Sequence, residues 1–546
     1  MNTSRRSGNY KPAIWDDDYL QSISSVYEGE EYIQRAKELE EKIEKILAEK
    51  MRKDSALGQM EFVDVLQRLG ISYHFKNTIH TIMQCIFNMK DGWVSSDLHQ
   101  VSLRFRLLRQ HGYNLVPRDV FNIFLDKEGE FKKNLSNDNK GLLSLYEASY
   151  LTMEGEEIMD NAQDFATHHL EQNLKQQQQL LDQTLLAEIT HSMENFPIHW
   201  RVPRLEARRF ISVYEKSKDM NPLVLEFAKL DFNLLQVMYQ QELKEMSRWY
   251  TNTRLAEKLS FARDHLVESF VWTIGNTFEP QFRYYRIMSA KLFLLVTLID
   301  DIYDVYGTVD ELQLFTLAVE RWDINALDQL PDYMKICFFV LFNSMNELSF
   351  DILKTQGFGS ISCLKEMWAK LCKAYMAEAR WFSSGYTPTL NEFLENGLVS
   401  ISGPLVIVHA YLCIAKPIEE KTLKDLMKLS DLVRWISTIV RLSDDLCTSS
   451  DEMKKGDVAK SIQCIMQEAD CSEEEACGLV KSLIHTTTRK FNLEIFSNYG
   501  HYSKDMVETF TNFIRAAQYM YHINGEGHGI SHACVSSLIL ESIPLS

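Results

Sequence analysis

Glycine and proline are scarce, 22 and 11 in 546 residues. Together they make about 6% of the chain, half the roughly 12% of average globular usage. So few turn punctuators exclude a sandwich, barrel or propeller of many short strands, and the 45% hydrophobic fraction excludes disorder. A basic surplus is missing too: 58 basic residues face 76 acidic ones, for a formal charge of −18. Non-specific nucleic-acid binding needs a basic face, so no nucleic-acid partner is expected. Among ten cysteines there is no C-x-x-C pair and no zinc-finger spacing. They read as free, mostly buried thiols of a reducing compartment. The start, MNTSRRSGNY, lacks the apolar stretch of a signal peptide and is too short for a transit peptide. The longest apolar run, Leu398 to Ala415, contains His409 and is broken at Gly403-Pro404. It predicts a buried core helix, with no integral membrane association.

What is present is helical periodicity. Between residues 31 and 49, Tyr32, Ile33, Ala36, Leu39, Ile43, Ile46 and Leu47 recur at steps of three and four, with Glu and Lys on the other face. Similar patterns run through 60–90, 98–112 and 140–190, and Gln176–Gln179 reads as a solvated face of the last. Pro197, Pro203 and Pro222 mark a region of irregular connection, after which the apolar helices lengthen. The chain is too long for one core, so two all-α domains are expected, residues 1–218 and 219–546. No repeat of fixed period is visible, which argues against a solenoid.

Carboxylates carry the chemistry. In LFLLVTLIDDIYDVYG an almost wholly apolar helix ends in Asp300, Asp301 and Asp304. Asp300 and Asp304, four residues apart, share a face, and Asp301 points about 100° away. Two carboxylates at the end of an apolar helix repel unless a cation joins them. Oxygen-only ligands suit Mg²⁺, which commonly bridges carboxylates to substrate phosphates. In RLSDDLCTSSDEMKKGD, Asp444, Thr448 and Glu452 form a second line of hard oxygens at four-residue spacing. Arg441, one turn before Asp444, and Lys460, sixteen residues after it, are placed to reach a metal-bound diphosphate. The pattern implies two metal-binding walls facing a cavity.

DDIYD followed by DDLCTSSDE, together with Arg5-Arg6 eight residues before Trp15, resembles the plant class I terpene synthases, most closely the angiosperm monoterpene synthase branch. The resemblance extends over the chain through SLRFRLLRQHGY, LLSLYEASYL, FARDHLVESFVW, ERWDI, LENGLVSISGP and GDVAKSIQC. It implies a C-terminal class I terpenoid synthase helical barrel and an N-terminal relict glycosidase-like α-barrel. It also implies three Mg²⁺ ions with substrate bound, Mn²⁺ as a substitute, and a prenyl diphosphate substrate. By matching positions, Asp300 and Asp304 would hold two ions, and Asp444, Thr448 and Glu452 the third. Arg263, Arg441 and Lys460 fall at diphosphate-binding positions, and Trp272 and Tyr375 at positions lining the pocket. Arg5, Arg6, Trp15 and His528 fall in segments that close over the active site in the family. No D-x-D-D of the class II cyclases occurs, so residues 1–218 are expected to be catalytically silent.

Two positions depart from the family pattern. Arg263-Asp264-His265 stands where Arg-x-Arg is usual. A histidine titrating near pH 6.5 makes diphosphate capture sensitive to pH. Phe293 occupies a pocket position often filled by a smaller residue, which favours a short or acyclic product. The expectation is a monomeric Mg²⁺-dependent lyase converting geranyl diphosphate to a monoterpene. Its location would be the plastid stroma if the chain is a processed form, otherwise the cytoplasm. The rival enzyme is a sesquiterpene synthase using farnesyl diphosphate, or a dual linalool/nerolidol-type synthase. A non-catalytic helical scaffold has no need of two aligned metal walls.

Overall fold

The computed structural model describes residues 5, 8, 10, 14–89, 95–177, 182–454, 458–498, 500–523 and 530–545, without the side chains of 177, 450–454 and 522–523. Among the described residues the regular structure is all-helical, and the only strand-like pairing is one bridge between Leu125 and Phe131. The chain divides into two compact units. One comprises Met1–Ser24, Met238–Phe491 and Gly500–Leu540; the other comprises Ser25–Val237, Asn492–Tyr499 and Glu541–Ser546.

In the second of these, the 31–49 periodicity becomes the Glu30–Lys53 helix, with Leu39, Ile43 and Leu47 fully buried. The 60–90 pattern resolves into Ala56–Arg68 and Lys76–Asn88. The 140–190 pattern resolves into Asn139–Ser149, Glu157–Gln177 and Gln183–Glu194. Gln176 is exposed at the end of its helix, and the rest of the glutamine stretch lies outside the described side chains. The prolines correct one expectation. Pro203 and Pro222 do not mark irregular chain; each opens a helix, Pro203–Tyr214 and the 32-residue Pro222–Thr253. At the first helical position proline loses no hydrogen bond and its φ is already helical. A buried ion network holds this unit: Glu206 pairs with Arg68, Arg201 and Arg209, and Glu188 with Arg68 and Arg209.

The other unit is built around the Gly403–Ile414 helix, buried from Gly403 to Leu412. It packs on Arg283–Asp301, Ile361–Ser384, Asp431–Lys454 and Lys504–Ile523. Leu390–Ser400 precedes it, and the two are separated by a break at Ser402, whose φ of +63° is left-handed. Gly403 is required by packing, since a Cβ there would lie 3.0 Å from the Cβ of Ser437 and closer still to its hydroxyl. The long apolar run is therefore a broken core helix, as its interruption predicts.

Candidate active site

The Arg283–Asp301 helix is buried along most of its length and runs directly into a wider turn, Ile302–Tyr306. That turn closes with the Gly307 amide donating to the Ile302 carbonyl at 2.8 Å, five residues back. Asp300 and Asp304, at either side of the change in winding, line one cavity, while Asp301 is turned inward with no exposure. Asp301 binds a neighbour. Its Oδ2 accepts the Arg263 amide at 2.7 Å, and its Oδ1 accepts Arg263 Nε and the Tyr10 hydroxyl, both at 2.9 Å. The far end of the same guanidinium donates from Nη2 to Asp300 Oδ2 at 2.6 Å.

The opposite wall repeats this plan on the Asp431–Lys454 helix. Arg441 donates from Nε to Asp445 Oδ1 at 2.8 Å and from Nη2 to Asp444 Oδ2. Asp445 is fully buried, and its Oδ2 accepts the Ser461 amide at 3.1 Å. Arg441, Asp444 and Lys460 line the same cavity as Asp300 and Asp304. Thr448 is buried one turn beyond Asp444 and donates to the Asp444 carbonyl at 3.0 Å, leaving its oxygen lone pairs available. The Glu452 side chain lies outside the described residues.

The electrostatics suit this arrangement. Burial pushes the Asp300 carboxyl up, against the pull of Arg263 and, across the cavity, of Lys460. Burial also raises the Tyr375 phenol far above its ordinary range, with Asp300 and Asp304 adding to the effect, so it stays protonated beside them. Below the carboxylates the lining turns aromatic. Trp272 lies 5.9 Å from Phe293, 6.2 Å from Phe513 and 5.9 Å from Tyr521, between ring centroids. Val296 and Val440 complete the apolar surface, and Ser400, Ile401 and Ser402 of the helix break reach it. Glu268 sits one turn before Trp272 on the same cavity-facing side, and burial pushes its carboxyl up to about 7. His265 stands immediately before that helix and lines the cavity as well.

The sequence-predicted residues therefore divide. Arg263, Trp272, Phe293, Asp300, Asp304, Tyr375, Arg441, Asp444 and Lys460 converge on one cavity. Arg5 lies elsewhere, donating to both oxygens of Glu311 at 2.7 and 2.8 Å and to the Tyr306 carbonyl at 3.0 Å. Trp15 stacks on His532 at 4.9 Å and 14°. Arg6 and His528 lie outside the described residues. Sequence reasoning passed over Tyr10, Glu268, Glu378, Phe513 and Tyr521. Of these only Glu268 carried a signal, four residues before Trp272 on a helical pattern. Glu378, which accepts Ser400 Oγ at 2.6 Å, lines the cavity three residues after Tyr375.

Among the described residues no three His, Cys, Asp or Glu side chains converge to make a complete metal site. The donor set nonetheless fits Mg²⁺, which takes one or two carboxylates, keeps several waters and draws remaining oxygens from substrate phosphates. Hard oxygens on two facing walls, with Asp300 paired to Arg263 and Asp444 to Arg441, meet that description.

The description "terpene synthase family, metal binding domain" matches residues 251–490, and "terpene synthase, N-terminal domain" matches residues 14–193. The chain is 51% identical to (+)-epi-alpha-bisabolol synthase of Phyla dulcis, over all of this chain and 99% of that one. It is 51% identical to (−)-alpha-terpineol synthase of Vitis vinifera, over 99% of this chain and 91% of that one. Chloroplastic myrcene synthase of Quercus ilex is 47% identical, over 99% and 90%. Among solved structures, limonene synthase with 2-fluorolinalyl diphosphate superposes with a TM-score of 0.94 at 42% identity, covering 99% of this chain and 100% of that one. Isoprene synthase of grey poplar, with three Mg²⁺ ions and dimethylallyl-S-thiolodiphosphate, gives 0.87 at 40% identity, covering 97% and 99%.

Proposed function

The chain belongs to the terpene synthase family, and from that premise we propose that it ionises geranyl diphosphate and releases a monoterpene and diphosphate. It is a lyase acting on prenyl diphosphates, with a metal-binding domain. One observation carries the reading: Asp300 and Asp304 face Asp444 around a cavity rimmed by Arg263, Arg441 and Lys460 and walled by Trp272, Phe293, Phe513 and Tyr521. Asp300 and Asp304 on one wall, and Asp444, Thr448 and Glu452 on the other, would hold Mg²⁺. When bound, the metal neutralises charge developing on the departing diphosphate.

The chain's own groups supply the rest. Arg263, Arg441 and Lys460 present positive charge where the diphosphate oxygens become more negative. The aromatic walls offer π faces to the allylic cation without acting as nucleophiles. The apolar lining keeps water from capturing that cation early. Catalysis is assigned to residues 219–546, with residues 1–218 catalytically silent, and the enzyme to a monomer. A plastid location accords with the chloroplastic relative.

The test is incubation with geranyl and farnesyl diphosphate, with and without Mg²⁺, followed by gas chromatography and mass spectrometry. A monoterpene formed from geranyl diphosphate only with divalent metal is expected, and Asp300→Ala should lower turnover by about a hundredfold or more. Turnover that persists without metal, or is undiminished in Asp300→Ala, would overturn the mechanism. The bisabolol synthase relative favours a second reading, since bisabolol is a sesquiterpene alcohol. Preferential turnover of farnesyl diphosphate would replace the first reading with it.

A further inference from the structure

The two aspartate pairs of the cavity are built alike. In each, an arginine is fixed at Nε by the inward, buried aspartate, Asp301 or Asp445, and lays its Nη2 on the cavity-facing one, Asp300 or Asp444. Each buried aspartate then has an anchor from a separate stretch of chain. For Asp445 the anchor is the amide of Ser461, at the start of the next helix. For Asp301 it is the hydroxyl of Tyr10, 291 residues away in sequence.

Tyr10 is well placed for that task. Its ring also lies under Arg263, with the guanidinium carbon 5.4 Å from the centroid, so one side chain touches both members of the pair. Burial raises its phenol well above the ordinary range, which keeps the proton needed for donation. Five residues earlier, Arg5 ties the same segment to the far end of the aspartate turn through the Tyr306 carbonyl and Glu311. Its guanidinium sits 4.5 Å from the Tyr306 ring, which stacks on Phe261 at 3.7 Å. Arg5 and Tyr10 thus hold the two ends of the Ile302–Tyr306 turn, which carries Asp304 and follows directly on Asp300.

We propose that Tyr10 is a positioning residue, holding Asp301 so that Arg263 stays anchored at Nε while its Nη2 leaves Asp300 for the incoming diphosphate. Asp300 and Arg263 neutralise each other, and both must change partner when a cation and a diphosphate arrive. Without a fixed Nε end, the guanidinium has to be ordered again at each binding event. Tyr10 acts only through Asp301 and Arg263, and it does not line the cavity.

This inference rests on the diphosphate-and-metal reading of the site, and the experiment separates the two. Inorganic pyrophosphate binding in the presence of Mg²⁺ is measured by calorimetry for the wild type, Tyr10→Phe, Asp301→Asn and the double variant, with melting temperatures to check folding. Tyr10→Phe should weaken pyrophosphate binding about tenfold with its melting temperature within a few degrees of wild type, and should add nothing in the Asp301→Asn background. In turnover, KM for the prenyl diphosphate should rise more than kcat falls. Wild-type binding that Tyr10→Phe leaves unchanged, or an effect that adds to that of Asp301→Asn, overturns the inference alone. A wild type that binds no Mg²⁺–pyrophosphate overturns the reading beneath it.

Discussion

At the scale of single residues, burial decides which groups can act and which only weigh on stability. Phe293 acts: it lies 5.9 Å from Trp272 and 6.5 Å from Phe513 and narrows the apolar part of the cavity. Phe293→Ala removes that wall. The ratio of kcat/KM for farnesyl over geranyl diphosphate should then rise about tenfold, the scale at which apolar pockets discriminate chain length. An unchanged ratio and product spectrum would remove Phe293 from specificity. His409 only weighs. It is 1% exposed, neither ring nitrogen has a hydrogen-bond partner among the described residues, and burial pushes its pKa down to about 3. Below pH ~6.5 the unfolded chain takes up a proton that the folded chain refuses. Stability present above that value is therefore lost as pH falls towards 3, by up to about 1.4 kcal/mol per pH unit. His409→Leu should raise unfolding stability by about 1 kcal/mol at neutral pH and flatten this acid slope. Denaturant midpoints measured from pH 7.5 to 5 check both, and an equal slope in the two proteins would refute the assignment.

At the scale of elements, what could be read from sequence was whatever a single helix carries. Asp300 with Asp304, and Asp444 with Thr448, sit four residues apart, so helical geometry alone pairs them. The change of winding at Ile302–Tyr306 left no mark in the periodicity, because one wide turn shifts the phase by less than a residue. Pro203 and Pro222 were misread for a related reason: a proline both follows loops and starts helices, and only the partner surface decides. The break at Ser402–Gly403 was visible as Gly-Pro, but its packing was not. Gly403 lies against Ser437 of the Asp431–Lys454 helix, so backbone approaches helix with no room for a methyl group. Gly403→Ala should therefore cost about 1–3 kcal/mol through overpacking. Ser437→Ala, which removes the nearest atom, should restore part of it. Destabilisation that the second change leaves untouched would place the strain elsewhere.

At the scale of the whole molecule, the cavity assembles stretches that sequence cannot bring together. Phe513 and Tyr521 come from the Lys504–Ile523 helix and Arg263 from a turn, while Tyr10 of the N-terminal segment reaches Asp301 behind them. Local spacing does not encode such meetings. Arg263 and Tyr375 were recognised only because neighbouring motifs resemble a family, and Tyr10 was not recognised at all. The net charge of −18 has its meaning at this scale too. An acidic chain repels a free diphosphate, and of the cavity carboxylates Asp300 and Asp444 are already paired with Arg263 and Arg441. Neither ligand alone displaces those pairs cheaply: a cation has to compete with a guanidinium for Asp300 or Asp444, and a diphosphate meets the same carboxylates uncompensated. Together they exchange both partners at once. Mg²⁺ and inorganic pyrophosphate added together should thus raise the melting temperature far more than the sum of either alone, since ligand at about a thousandfold over its dissociation constant contributes about 4 kcal/mol. Chelation with EDTA should return the transition to that of the free protein. Additive shifts would mean that the two ligands bind independently, and the paired arginine–aspartate arrangement would then not couple metal to diphosphate.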